Sequence, residues 1–276
     1  MSFWEKIGQI DRRWIYLLVA LAVIFPIVVP VQLPVGITPE ARQLYDAVEA
    51  LPDSCAVMLT FDYYPSTVAE TMPMSVAALH HLFRKDIRIV TMTTVPLGGP
   101  SIAENVMADM AAQYGKEYGI DYVNLGYKAN YTAVLLGMGA SIESIYPADN
   151  LGRPLSELPL MQEVKNYDDI EFIFVVADNG IIDTWISIVN AQFGTPVGAG
   201  VTAVMAPKLY SFVESGQMTG LLGGMRGAAE YEILADQQAM AVMGMCAQSL
   251  VHLLIIFLII LGNIAFFTMK AKGRES

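Results

Sequence analysis

The chain is poor in cysteine, histidine and charge, and each shortage removes a class of function. Only two cysteines, Cys55 and Cys246, occur in 276 residues. That is too few for a disulfide framework, and their spacing gives no Cys-x-x-Cys redox or zinc motif. Stability must therefore come from a packed core. Of the three histidines, His80 and His81 are adjacent, about 100° apart on a helix, and share no ligand face. His252 stands alone in an apolar run. The G-x-S-x-G and H-E-x-x-H patterns are missing, which removes the common serine-hydrolase and zinc-protease routes. Gly98-Gly99-Pro100-Ser101 falls short of a dinucleotide fingerprint and has no Walker lysine. No motif names a cofactor, and the sequence holds no internal repeat, low-complexity tract or long linker.

Charged residues make up 16% of the chain against 54% hydrophobic, with mean hydropathy +0.46. An ordinary soluble domain carries about 25% charged residues. Two runs hold the apolar excess, Trp14 to Leu33 and Cys246 to Met269. Neither contains Asp, Glu, Lys or Arg, and each reaches the roughly 20 residues that cross a bilayer core. The first is too long for a signal peptide, and Val31-Gln32-Leu33-Pro34 offers no small-residue cleavage site. Two transmembrane helices, 14–33 and 246–269, are therefore expected. Lys6, Arg12 and Arg13 precede the first, and Lys270, Lys272 and Arg274 follow the second. The positive-inside rule then places tails 1–13 and 270–276 in the cytoplasm and the middle of the chain outside.

That middle, Leu33 to Met245, holds ten Lys and Arg against 24 Asp and Glu, a formal charge of −14. Such a surface repels nucleic acid and anionic headgroups. A juxtamembrane segment, 34–52, contains a short helix opened by Pro39 and capped by Thr38. From 53 to 226 short apolar runs alternate with amphipathic stretches. Strands are expected at 55–61, 87–95, 122–127, 171–178 and 201–206. Helices are expected at 66–85, 101–119, 131–141 and 181–194. This alternation predicts one α/β domain with a mainly parallel sheet between helices, a Rossmann-like or flavodoxin-like three-layer fold. No proline interrupts Gly227 to Met269. The spacing predicts a helix over 227–245 that runs on into the second span, coupling the domain rigidly to the bilayer.

Open parallel sheets bind ligands outside the carboxyl ends of their strands. Those ends supply Asp62 and Tyr63, then Gly98, Gly99 and Ser101, then Asp178 and Asn179, with Pro207 and Lys208 after the fifth strand. Asp62 and Asp178 suit a cation, ligand hydroxyls or acid/base work, and equally helix capping. Gly98 to Ser101 opens a helix, where free N–H groups favour an anion, or simply turns the chain. A second group of residues points to assembly. Gly220, Gly223 and Gly224 lie in a glycine-dense stretch that allows close backbone approach, and Arg226 is one of the domain's few cations. Gln248, His252 and Asn263 are polar groups inside the second span, where they are costly unless partnered.

Three functions fit these features. The first is a non-enzymatic membrane scaffold or accessory subunit of a homo- or hetero-oligomeric complex. The second is a small-ligand or cation sensor, and the third an Asp-dependent enzyme.

Overall fold

The computed structural model describes residues 11–29, 35–237 and 240–272. It divides into two units, Val35–Ala241 and the terminal segments Met1–Pro34 with Val242–Ser276.

The Val35–Ala241 unit is a six-stranded sheet in the order β3-β2-β1-β4-β5-β6, parallel throughout. Its strands are β1 (Ala56–Asp62), β2 (Arg88–Thr93), β3 (Tyr122–Tyr127), β4 (Phe172–Ala177), β5 (Val197–Val201) and β6 (Leu221–Gly223). Strand order reverses between β1 and β4. This is the doubly wound, Rossmann-like order, in which the crevice lies outside the carboxyl ends of the two central strands.

Nearly every strand residue is buried, as both-sided cover by helices requires. Met58, Val90, Val123, Ile173 and Val175 join one core with Trp185 and Val189 from the segment after β4. That segment comprises α8 (Ile181–Thr184) and a π-helical stretch, Trp185–Phe193. Alternate residues of the same strands meet α2 (Pro39–Glu49), α3 (Val68–Arg84), α4 (Gly99–Tyr114) and α10 (Gly224–Leu234). Helix α1 (Arg12–Val28) precedes them all. The remaining helices are α5 (Tyr131–Met138), α6 (Ile142–Ile145), α7 (Pro159–Glu163) and α9 (Ala206–Glu214). Each fully buried Leu, Ile, Val or Phe contributes roughly 1.5–3 kcal/mol, so the domain needs no cross-link, and Cys55 is a free thiol.

Three expectations are corrected. The fifth strand is residues 197–201, not 201–206. Its sequence, Val-Gly-Ala-Gly-Val, has poor strand propensity. A Cβ at Gly198, however, would overlap Leu44 Cδ1, and one at Gly200 would lie 2.7 Å from Met74 Sδ. Helices α2 and α3 press onto β5 there, and only glycine leaves the space. Pro207 and Lys208 consequently sit in the first turn of α9 rather than after a strand.

The glycine-dense stretch, where no strand is expected, contributes a sixth strand, β6. Finally, the helix expected over 227–245 is not continuous. Helix α10 ends at Leu234, and Asp236 takes φ +56°, a left-handed conformation that ends a helix. A separate helix, α11 (Met240–Lys272), follows, with the Ala241 N–H donating to buried Glu232 at 2.9 Å.

Helix α11 is long and apolar enough to cross a membrane: the most apolar window within Met240–Lys270 has mean hydropathy 2.7, and 6% of it is buried. Leu253, Ile256, Phe257, Ile259, Ile260 and Phe267 are all exposed around it. A helix that presents large apolar side chains around its circumference and is uncovered by its own protein matches a hydrocarbon solvent. Helix α1 is apolar too, but its 17 residues stop at Val28, with Pro26 inside and Val29 extended. The rest of the first expected span, 30–33, lies outside the described residues.

Candidate functional site

The strand ends gather the residues expected there, but their polar atoms are engaged with one another. Asp62 closes β1 and is fully buried. Its Oδ1 accepts from the Thr94 N–H at 2.6 Å and the Thr94 hydroxyl at 2.8 Å, and its Oδ2 from Trp185 Nε1 at 3.2 Å. Burial pushes this carboxyl above the usual carboxylate range, against the pull of the Thr94 and Trp185 hydrogen bonds. Asp178, beyond β4, accepts from the Tyr64 N–H at 2.9 Å and the Thr67 hydroxyl at 2.6 Å. The amide of Asn179 donates to the Asp62 carbonyl at 2.8 Å. These bonds lace the β1 and β4 ends together across the switch point. The Tyr63 hydroxyl pairs with Ser75 at 3.1 Å inside the core.

Gly98 and Gly99 are likewise committed to packing. Gly98 has φ +84°, and a Cβ on it would lie 2.5 Å from Pro65; one on Gly99 would lie 2.5 Å from Thr93 Oγ1. Ser101 follows in the first turn of α4 and is exposed. At this turn Pro65 packs where a side chain on Gly98 would stand. Among the described residues, no three His, Cys, Asp or Glu side chains are grouped to hold a metal.

The expected assembly residues divide in two. Gly220 lies against the α2 backbone, where an added Cβ would be 2.5 Å from Leu44 N. At Gly223 that atom would lie 2.9 Å from Ala206 Cβ, and at Gly224 2.7 Å from Ala203 Cβ. These glycines let α2, α9 and the turn after β5 approach the sheet edge. Arg226 donates to buried Glu230 at 2.8 Å, whose other oxygen accepts from the Thr38 N–H and hydroxyl. Arg226 thus helps fasten the start of α2 to α10. Gln248, His252 and Asn263, by contrast, are exposed on α11. At 100° per residue they fall within about 60° of one another around the helix. Asn263 returns one amide proton to the Ile259 carbonyl at 2.9 Å.

One strand end absent from the expected constellation carries a cleft. Tyr127 ends β3 and Lys128 follows it. Opposite them, the irregular segment after α6 brings Tyr146, Pro147, Ala148, Asp149 and Asn150. Together with Leu125 they line a cleft of ≈ 520 Å³, within the usual range of ligand sites, about 300–1,000 Å³. Gly126 makes the wall possible, because a Cβ there would lie 2.6 Å from Asn150 Oδ1.

Lys128 has no ion pair among the described residues; its ammonium donates to the Ile145 carbonyl and lies 5.5 Å from the Tyr146 ring centroid. Tyr146 is 4% exposed, and its hydroxyl has no hydrogen-bond partner among the described residues. Burial and the nearby Asp62 carboxylate raise its pKa. A buried orphan hydroxyl costs about 1–3 kcal/mol. Tyr146→Phe is therefore expected to stabilise the chain by about 1 kcal/mol, and a lowered midpoint in thermal or urea unfolding would contradict the hydroxyl's isolation.

Comparison with protein-family models finds no match, and no curated protein or solved structure matches the chain. The class stands on the fold: a doubly wound α/β domain in a chain that also carries a helix long and apolar enough to cross a membrane.

Proposed function

We propose that the chain is a membrane-anchored, non-enzymatic scaffold or accessory subunit that assembles through its C-terminal helix. The observation that carries this reading is the polar stripe of Gln248, His252 and Asn263 on α11, whose surface is otherwise apolar. Such groups are costly in hydrocarbon and are stabilised by a partner helix, at about 0.6–2 kcal/mol per contact. Both oxygens of buried Asp62 and the Oδ2 of Asp178 take bonds from the chain's own donors, which weighs in the same direction. In this reading the first apolar run also anchors the chain, both tails are cytoplasmic and the α/β domain is extracytoplasmic. Its −14 charge disfavours nucleic acid as a partner.

Replacing His252 and Asn263 together by Leu tests the stripe without shortening the helix. The double variant is expected to move the detergent-purified chain toward smaller species in size-exclusion chromatography with light scattering, weakening association about tenfold. An unchanged elution and mass would remove the stripe from any role in assembly.

A further inference from the structure

The cleft at the end of β3 plays no part in an assembly through α11, and its chemistry is specific. Its walls carry two tyrosines, Tyr127 and Tyr146, one cation and one carboxamide, Asn150. The cation carries the argument. In a domain with ten cations and 24 carboxylates, Arg84, Lys85, Arg88, Lys116, Lys208 and Arg226 each sit beside an acidic partner. Of the four cations without one among the described residues, Arg42, Lys128, Arg153 and Lys165, Lys128 is the one that lines the cleft, although Asp149 lines it too.

The reason is that Asp149 is already bound. Its Oδ1 accepts from the Leu151 and Arg153 N–H groups at 2.9 and 2.7 Å, and its Oδ2 from the Tyr118 hydroxyl at 2.7 Å. The Arg153 guanidinium lies over the Tyr118 ring, 4.8 Å from its centroid. Glu104, the other acid nearby, accepts from the Asn124 amide at 3.0 Å and the Asn150 amide at 3.4 Å. The fold thus holds its own carboxylates on neighbouring donors and leaves the Lys128 ammonium, with two protons beyond the Ile145 contact, at the cleft.

The cleft opens beside the carboxyl end of the edge strand β3, two strands from the β1/β4 switch point. Tyr146, which lines it, carries a buried hydroxyl without a hydrogen-bond partner among the described residues.

We propose that the cleft between Tyr127–Lys128 and residues 146–150 binds a small organic anion with a planar or aromatic body. The anion meets the Lys128 ammonium, and the ring lies against the tyrosine faces. Stacking on an aromatic wall contributes about 0.5–1.5 kcal/mol, and a charge-assisted hydrogen bond is roughly twice as strong as a neutral one. Neither half alone then gives the full affinity.

The test is ligand-observed saturation-transfer NMR on the full chain in detergent, titrating benzoate, benzamide, acetate and inorganic phosphate separately. Benzoate is expected to bind saturably and about tenfold more tightly than any of the other three. Lys128→Gln is expected to weaken benzoate about tenfold while leaving the melting temperature within 1 °C or so, since ordinary surface substitutions have small effects. No saturable benzoate binding would overturn the proposal. Equal binding of benzamide would overturn the anion, and equal binding of acetate or phosphate the aromatic body. Benzoate binding that ignores Lys128→Gln would place it elsewhere, in the micelle included, and would also sink the site. A change in oligomer mass plays no part in these outcomes.

Discussion

Gly220→Ala is expected to destabilise the domain by about 3 kcal/mol, the upper end of ordinary overpacking, lowering the melting temperature by on the order of 10 °C. Gly220 precedes β6, and the position its Cβ would take is 2.5 Å from Leu44 N, 2.7 Å from Glu40 O and 2.7 Å from Leu44 Cα. These are backbone atoms of a hydrogen-bonded helix. A flexible side chain can swing aside, but here α2 would have to lift from the sheet edge. That movement would also strain the bonds from the Thr38 N–H and hydroxyl to Glu230. Gly180 is the control, because nothing lies within 4 Å of its added Cβ and its φ of −71° suits any residue. Gly180→Ala should stay within about 0.5 kcal/mol of the parent. Equal and small effects at both positions in urea unfolding would contradict the close approach of α2.

The second large effect is a loss of stability in acid centred on His81. This residue is buried on α3, stacked on Tyr45 at 4.6 Å, with Nε2 2.6 Å from Glu49 Oε2 and Nδ1 2.8 Å from the Tyr231 hydroxyl. A neutral ring that donates from Nε2 to the carboxylate and accepts at Nδ1 from the phenol satisfies all three groups. Burial lowers the His81 pKa to about 4, outweighing the opposing pull of Glu49, while Arg84 and Lys85 add to the depression.

The folded state therefore excludes a proton that the unfolded chain binds from about 6.5 downward. Stability is complete above that value and falls as pH drops toward 4. Two and a half units at about 1.36 kcal/mol each amount to about 3 kcal/mol. Glu49 is held below its ordinary value chiefly by the hydrogen bond with His81, so its own contribution is lost only below the usual glutamate range, about 4.3. Between 6.5 and 4.5 His80, whose pKa burial also lowers, adds in the same direction, and Asp62, raised by burial, opposes, so the His81 share is the difference between two curves. His81→Gln should make the fall of the melting temperature across that window shallower than the parent's, whatever its offset at pH 7. A variant curve parallel to the parent's would rule out His81 as the source.

How far these features could be read from the chain follows from what each residue faces. Strands β1 to β4 are continuous buried runs, so composition locates them to within about two residues of their ends. The exception, β5, has its strand character erased by Gly198 and Gly200, which answer to Leu44 on α2 and Met74 on α3. No local pattern encodes helices arriving from elsewhere in the chain. The break at Asp236 was hidden for the opposite reason. Ala235 and Asp236 sit in a run without proline or glycine, and a left-handed aspartate leaves no periodic trace.

Asp62 and Asp178 were legible as strand-end carboxylates, but Thr94, Thr67 and Trp185 were not legible as the donors that occupy them. The cleft was the least visible feature. Most of its wall comes from the segment 146–150, which has no strand or helix period. The remaining signal, Tyr127-Lys128 at the end of a predicted strand, resembles an ordinary exposed turn.

Native mass spectrometry of the full chain, extracted in a mild detergent, tests the central claim of assembly most directly. The account predicts one defined complex, a closed homo-oligomer or a fixed stoichiometry with partner subunits, that survives removal of the micelle. A monomer of 30.1 kDa across detergents that preserve the fold would contradict it.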